Sequence, residues 1–234
     1  MDMSSWEAEV ELAAIQYADE HIEEEKIKNK LLCESAVRKR LILEFTEACL
    51  AKELSAQITR AIKIINLDGP HYLDKTQWQS LQIEMMRAAD RMATSEFDPR
   101  TTTFQELLGF SDNALESIEM IAAIKYEENA LHECLALYAF LNTLNEDNSA
   151  YWLRLAIILQ ELGEIKQAIQ TYEMAIEFDP TNIGAYLFSA ECQIALGNKS
   201  EANTLLEKAK QLIEEQHAEN AWFESLSELQ TNVN

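Results

Sequence analysis

The sequence predicts an all-α protein, a helical solenoid of three tandem repeats preceded by an N-terminal helical bundle or hairpin. Three observations carry this expectation. Only five glycines and three prolines punctuate 234 residues, too few for the many turns of an all-β fold, while Ala, Leu, Ile, Glu and Gln dominate, as long helices require. Small and aromatic residues recur at a 34-residue spacing through residues 115–216, the mark of a stacked helix–turn–helix array. Ahead of that array, residues 1–68 contain neither Gly nor Pro and carry apolar residues at helical intervals.

Taking the elements in order, Leu31, Leu32, Val37, Leu41, Phe45, Cys49, Leu54, Ile58, Ile62 and Ile65 mark a long helical stretch. Residues 6–68 form either one helix, whose apolar stripe a dimeric coiled coil would cover, or a hairpin bending near Asn29. The hairpin is favoured, because a lone helix of that length exposes too much apolar surface. Asp68, Gly69 and Pro70 are expected to break the chain. Asp74 with Gln77 three residues on resembles a capping box opening a helix through Trp78, Leu81, Met85, Met86 and Met92. Residues 98–103, with one proline and three threonines, read as a linker. Thr103 and Glu106 then cap a short helix that Gly109 stops. The expected organisation is an N-terminal helical domain at 1–100 that is a candidate for dimerisation, a linker and short helix at 101–114, repeats at 115–148, 149–182 and 183–216, and a capping helix at 217–234.

The central repeat is the clearest. Trp152, Ala156, Gly163, Ala168, Tyr172, Ala175 and Pro180 occupy the positions of a tetratricopeptide unit beginning at Ser149. An aromatic opens the first helix, small residues sit where helices cross closely, glycine permits the turn and proline ends the unit. One period on, Tyr186, Ala190, Gly197, Ala202 and Ala209 repeat the pattern. One period back the unit is weaker: Ala122, Cys134 and Tyr138 fit, but Asn129 replaces the glycine and Glu146 the proline. Asn tolerates left-handed backbone geometry, and terminal repeats are often atypical. After the third unit, Trp222, Phe223, Leu226 and Leu229 place an apolar stripe on a last helix that can cover the open end of the stack.

The formal charge of −22 repels nucleic-acid phosphates and anionic membrane surfaces. The excess is uneven, since residues 1–100 carry 13 basic against 19 acidic side chains and residues 101–234 carry 6 against 22. An acidic, self-repelling surface is the plain explanation, and steering of basic partner segments the sharper one. The opening MDMSSWEAEVELAA lacks a basic flank before a continuous apolar stretch, so no export signal is expected there. Apolar runs such as 156–159 fall far short of the roughly 20 residues a membrane span needs. Cys33, Cys49, Cys134 and Cys192 show no CxxC spacing, which fits reduced thiols in a cytoplasm. The four histidines show no HxxxH spacing, and no phosphate-binding loop or nucleophile elbow is visible. Neither metal nor cofactor is expected, nor enzymatic activity; an N-terminal enzyme regulated by the repeats is disfavoured because it would lack a nucleophile, metal or phosphate signature.

What remains is the concave face of the stack. Its lining positions are Glu116, Glu119, Ala123, Tyr126 and Glu127 in the first repeat, Ala150, Leu153, Ile157, Gln160 and Glu161 in the second, and Gly184, Leu187, Glu191, Ile194 and Ala195 in the third. The peptide-binding groove is expected to rest chiefly on Tyr126, Leu153, Ile157, Gln160, Leu187, Glu191 and Ile194. Leu153, Ile157, Leu187 and Ile194 need no apolar character on a merely solvated face, so the expected ligand presents apolar anchors, unless a terminal segment of the chain itself fills the groove. Three aliphatic anchors give about 1.5–3 kcal/mol each, and ordering an extended peptide returns several of those, so micromolar binding is expected. The charged positions of this lining are all Glu, so an acidic tail would be repelled.

The strings LLGFSDNALESI, NSAYWLRLAIILQELGEIKQAIQTYEMAIEFDP and AYLFSAECQIALGNKSEA make residues 105–215 resemble the class II chaperones of bacterial type III secretion. The resemblance rests on Gly109, Phe110, Ser111 and Asp112 ahead of the first repeat and on Ala190, Glu191 and Cys192 in the third. It implies an acidic cytoplasmic protein, often a dimer, that threads an extended segment of a hydrophobic translocator through its groove before export. The N-terminal extension departs from the family, as does the weak first repeat at the contact positions Lys125 and Asn129. The alternative is a general tetratricopeptide scaffold that assembles resident soluble proteins and uses the N-terminal helices as a second docking surface.

Overall fold

The computed structural model describes residues 3–28, 34–94, 103–217 and 220–233. They form eleven α-helices, with no strand among the described residues. The bend expected near Asn29, Cys33 and all of the 98–103 linker except Thr103 lie outside them. Two compact units divide between Gln57 and Ile58, whereas the sequence places a boundary near residue 100. The reason is burial: Ala61, Ile64, Ile65, Leu73, Leu81 and Ala88 belong to the same apolar cluster as the first two repeats. Residues 58–94 are the leading layer of the solenoid.

The first unit is a helical hairpin of α1 (Met3–Lys28) and the opening turns of α2 (Glu34–Tyr72). Ala18 and Ile22 of α1 bury against Val37 and Leu41 of α2, and the Tyr17 ring lies 5.1 Å from that of Phe45. The antiparallel register is marked by Asp19–Arg38 at 2.6 Å, Glu25–Arg40 at 2.6 Å and Lys26–Glu34 at 2.9 Å. Solvent-accessible pairs of this kind add little to stability, so they select register more than they stabilise.

In the second unit α2 does not break at Asp68. It runs through Gly69 and Pro70 to Tyr72, because a proline in a last turn forfeits only one backbone bond. Gly69 serves a different purpose from the expected one. A Cβ there would stand 2.5 Å from the Trp78 ring, so glycine lets the indole of α3 (Lys75–Thr94) press on the α2 backbone. The capping box is present: the Asp74 carboxylate accepts from the amides of Thr76 (2.7 Å) and Gln77 (2.9 Å), and the Gln77 carbonyl accepts from the Asp74 amide at 3.0 Å. Thr103 caps α4 (Phe104–Leu108), and Gly109 closes it at φ 76°.

The repeats follow as helix pairs α5/α6 (Asp112–Glu127, Leu131–Leu144), α7/α8 (Ser149–Glu161, Ile165–Phe178) and α9/α10 (Ile183–Ala195, Lys199–Gln216). Each pair closes through a left-handed residue at the same repeat position: Asn129 (φ 58°), Gly163 (φ 83°) and Gly197 (φ 79°). The amide after each turn donates back to Lys125, Leu159 and Gln193 respectively, each at 2.9 Å, satisfying carbonyls that the helix end leaves free. Ala122, Cys134, Ala156, Ala168, Ala175, Ala190, Ala202 and Ala209 are wholly buried, so the expected close crossings are where helices meet. The last helix, α11 (Asn220–Val233), packs on α9 and α10, the two elements that the first helix of a further repeat would touch. It buries Leu226 and Val233.

Candidate functional site: the concave face of the repeats

Helical spacing puts Glu119, Ala123, Tyr126 and Glu127 on one face of α5. With Tyr138 of α6 and Arg154, Ile157 and Ile158 of α7 they line a pocket of about 250 Å³. Five of these residues are on the lining expected from the sequence; Tyr138, Arg154 and Ile158 are not. Arg154 corrects the expectation of a groove whose charges are all Glu. It is the single cation between Lys125 and Lys166, and that isolation in an acidic stretch was the available signal.

The polar residues of the predicted groove brace neighbouring repeats. The Tyr126 hydroxyl donates to Glu161, tying α5 to α7, and that bond, with burial, pushes the phenol up to about 12. Gln160 accepts from the Tyr172 hydroxyl at 2.7 Å and donates to Glu191 of α9 at 2.8 Å. Tyr126, Gln160 and Glu191 therefore tie neighbouring helices of the stack together, whatever they bind. Leu153 and Ile157 are half-buried, packed against the main core with one side still open.

The third repeat is different. Leu187 is only 1% exposed, and with Ile194 it packs in the cluster that Trp222, Leu226, Leu229 and Val233 of α11 complete. A Cβ on Gly184 would meet the Trp222 ring at 3.3 Å. The capping helix thus seals Leu187, which is a core residue and not an open groove contact. The expectation failed there because a lining position becomes interior once a further helix stacks on it. Glu116 also parts from Tyr126: it lines a second cavity of about 240 Å³ between α3 and α5, with Thr76, Gln77, Ser80 and Met120 among its walls.

At the leading end, Lys125 is 7% exposed. Its ammonium lies 3.0 Å from Asp68, 3.0 Å from Glu133 and 3.4 Å from Glu128, and 5.3 Å from the centre of the Tyr72 ring. Burial opposes its charge, but Asp68, Glu133 and Tyr72 more than offset that and hold it above the usual lysine range. Lys125 is a clasp joining α2, α5 and α6. Ser111, in the Ser-Asp pair, caps α5 through the Ala114 amide at 3.2 Å, while its own amide (2.8 Å) and hydroxyl (2.9 Å) donate to Glu84 of α3.

Among the described residues, no group of three or more His, Cys, Asp or Glu is placed to hold a metal ion, and no helix is long and apolar enough to cross a membrane. Cys49, Cys134 and Cys192 are unpaired, and burial pushes the Cys134 and Cys192 thiols up to about 12.

The tetratricopeptide repeat family profile matches residues 149–182. A human protein, General transcription factor 3C polypeptide 3, is 28% identical over 99 residues, spanning 42% of this chain and 11% of that much longer one. The solved structure of the Yersinia enterocolitica type III secretion translocator chaperone SycD superimposes with a TM-score of 0.50 at 22% identity, over 56% of this chain and 96% of SycD. PcrH of Pseudomonas aeruginosa, solved in complex with the chaperone binding region of PopD, gives 0.51 at 24% identity, over 53% of this chain and 94% of PcrH. Identities this low establish shared architecture. By repeat signature and fold together, the array is a tetratricopeptide-repeat solenoid of the form seen in type III secretion translocator chaperones.

Proposed function

We propose that this chain is a cytoplasmic type III secretion chaperone that holds an extended apolar segment of a translocator protein on the concave face of its first two repeats. The observation that carries the reading is the asymmetry of that face. At its third-repeat end Gly184 and Leu187 are buried beside α11, while the pocket between α5 and α7 keeps Ala123 exposed and Ile157 half-buried above a buried Ile158, beside charged side chains. Sites for protein segments combine such apolar floors with a few placed polar groups. The fold likeness to SycD and PcrH supports the reading, as does the acidity of the repeat region, which disfavours nucleic acid.

The test blocks the pocket without touching the core. Ala123 is exposed on α5, so Ala123→Trp fills the space and leaves the packing beneath it intact. The full chain and this variant are co-expressed with proteins encoded beside it, and what co-purifies is identified by mass spectrometry. Recovery of a membrane-active export substrate by the wild type, reduced at least tenfold by Ala123→Trp at unchanged melting temperature, is the expected outcome. Recovery only of resident soluble proteins makes the general scaffold the correct reading, and indifference to Ala123→Trp removes the groove from either.

A further inference from the structure

The α5–α7 pocket contains polar groups that the protein itself leaves unused. Tyr138 is 4% exposed, yet its hydroxyl makes no hydrogen bond among the described residues. That hydroxyl is not among the fully buried unpaired atoms and so opens on the pocket, and burial of the ring keeps the phenol protonated, above its ordinary range, which leaves it free to donate. Arg154 has no carboxylate within ion-pair distance among the described residues, and Glu119 and Glu127 have no hydrogen-bond partner there. The acceptors belong to α5 and the guanidinium to α7, with Ala123 and Ile157 on the same two helices.

This arrangement discriminates among ligand chemistries. A carboxylate drawn to Arg154 meets Glu119 and Glu127, while an ammonium drawn to those glutamates meets Arg154. A neutral amide meets neither penalty, since it carries a donor and an acceptor at once. An extended polypeptide presents N–H and C=O groups along both edges. We propose that the pocket grips an extended segment by its main chain, with Glu119 and Glu127 accepting from amide N–H groups, Arg154 and Tyr138 donating to a carbonyl, and one aliphatic side chain entering between Ala123 and Ile157. The inference rests on the groove reading above and adds the class of segment selected: an aliphatic residue flanked by uncharged neighbours, recognised through its backbone.

The probe is a dodecapeptide selected from a random phage-displayed library against the full chain, labelled for fluorescence anisotropy. Arg154→Met and Tyr138→Phe are each expected to weaken it about fivefold to tenfold, the effect of one net hydrogen bond. Neither should lower the melting temperature, because neither polar group has an internal partner. In an amide-to-ester scan of the peptide, one position should weaken wild-type binding and lose that penalty in the Arg154→Met background. If Ala123→Trp abolishes binding while both polar variants stay within twofold of wild type, the main-chain grip is wrong and the groove stands. If the selected peptides bind Ala123→Trp as well as wild type, or none is selected at all, the groove and the grip fall together.

Discussion

The Lys125 ammonium joins three helices at the head of the repeat array, in contact with Asp68, Glu133 and Glu128. Removing one partner of a buried ion pair leaves the other charges uncompensated and costs about 3–5 kcal/mol; Lys125→Met should approach the lower end, since Glu128 and Glu133 are partly exposed. The pH dependence follows from the signs. The folded-state pKa of Lys125 is raised, so its contribution is complete below the unfolded lysine value near 10.5 and is lost as pH rises through the higher folded value. Glu128 is held below its ordinary value by the Tyr72 hydroxyl and Lys125, so its contribution is present above about 4.5 and fades on acidification. Urea unfolding at pH 7 and pH 11 should show the gap between wild type and Lys125→Met narrowing at the higher pH; a gap that stays constant would mean that Lys125 acts by packing alone. From the sequence Lys125 was only a point of doubt about ligand contact, because the carboxylate that claims it, Asp68, lies 57 residues earlier.

Among the elements, α11 decides how much of the concave face is open. Its stripe of Trp222, Leu226 and Leu229 was legible in the residue spacing. That it would seal Leu187 was not, because spacing reveals which face is apolar and not which neighbour covers it. Ending the chain after His217 exposes the surface that now buries Leu226 and Val233. At about 1.5–3 kcal/mol per buried aliphatic side chain, the loss is on the order of 3–6 kcal/mol, concentrated in the third repeat since a repeat array is stabilised neighbour by neighbour. Hydrogen exchange should show α9 and α10 losing protection while α5 and α6 keep theirs. Uniform loss along the array would mean that the repeats unfold as one unit and that α11 is no local cap.

At the scale of the whole chain, the two units have unequal resources. Among its described residues, the hairpin of 3–28 and 34–57 buries Ala14, Ala18, Ile22, Val37 and Leu41 and leaves Leu12, Leu43 and Leu54 exposed, a small core for two long helices. We expect a second copy to complete it. Sedimentation velocity should find a dimer that Leu43→Glu with Leu54→Glu returns to monomer, and a wild type that stays monomeric at tens of micromolar would sink the idea. The amino-acid sequence by itself determined the helical class, the 34-residue period, the three turns at Asn129, Gly163 and Gly197, and the caps at Asp74 and Thr103, because each depends on residues within a few positions of one another or on a fixed repeat. Tertiary structure alone decided that residues 58–94 join the solenoid, that Gly69 makes room for Trp78, that Leu187 is interior, and that Arg154 and Tyr138 meet in one pocket. These depend on which helices stack face to face, and residues far apart in the chain acquire a shared surface only when the stacking buries the rest.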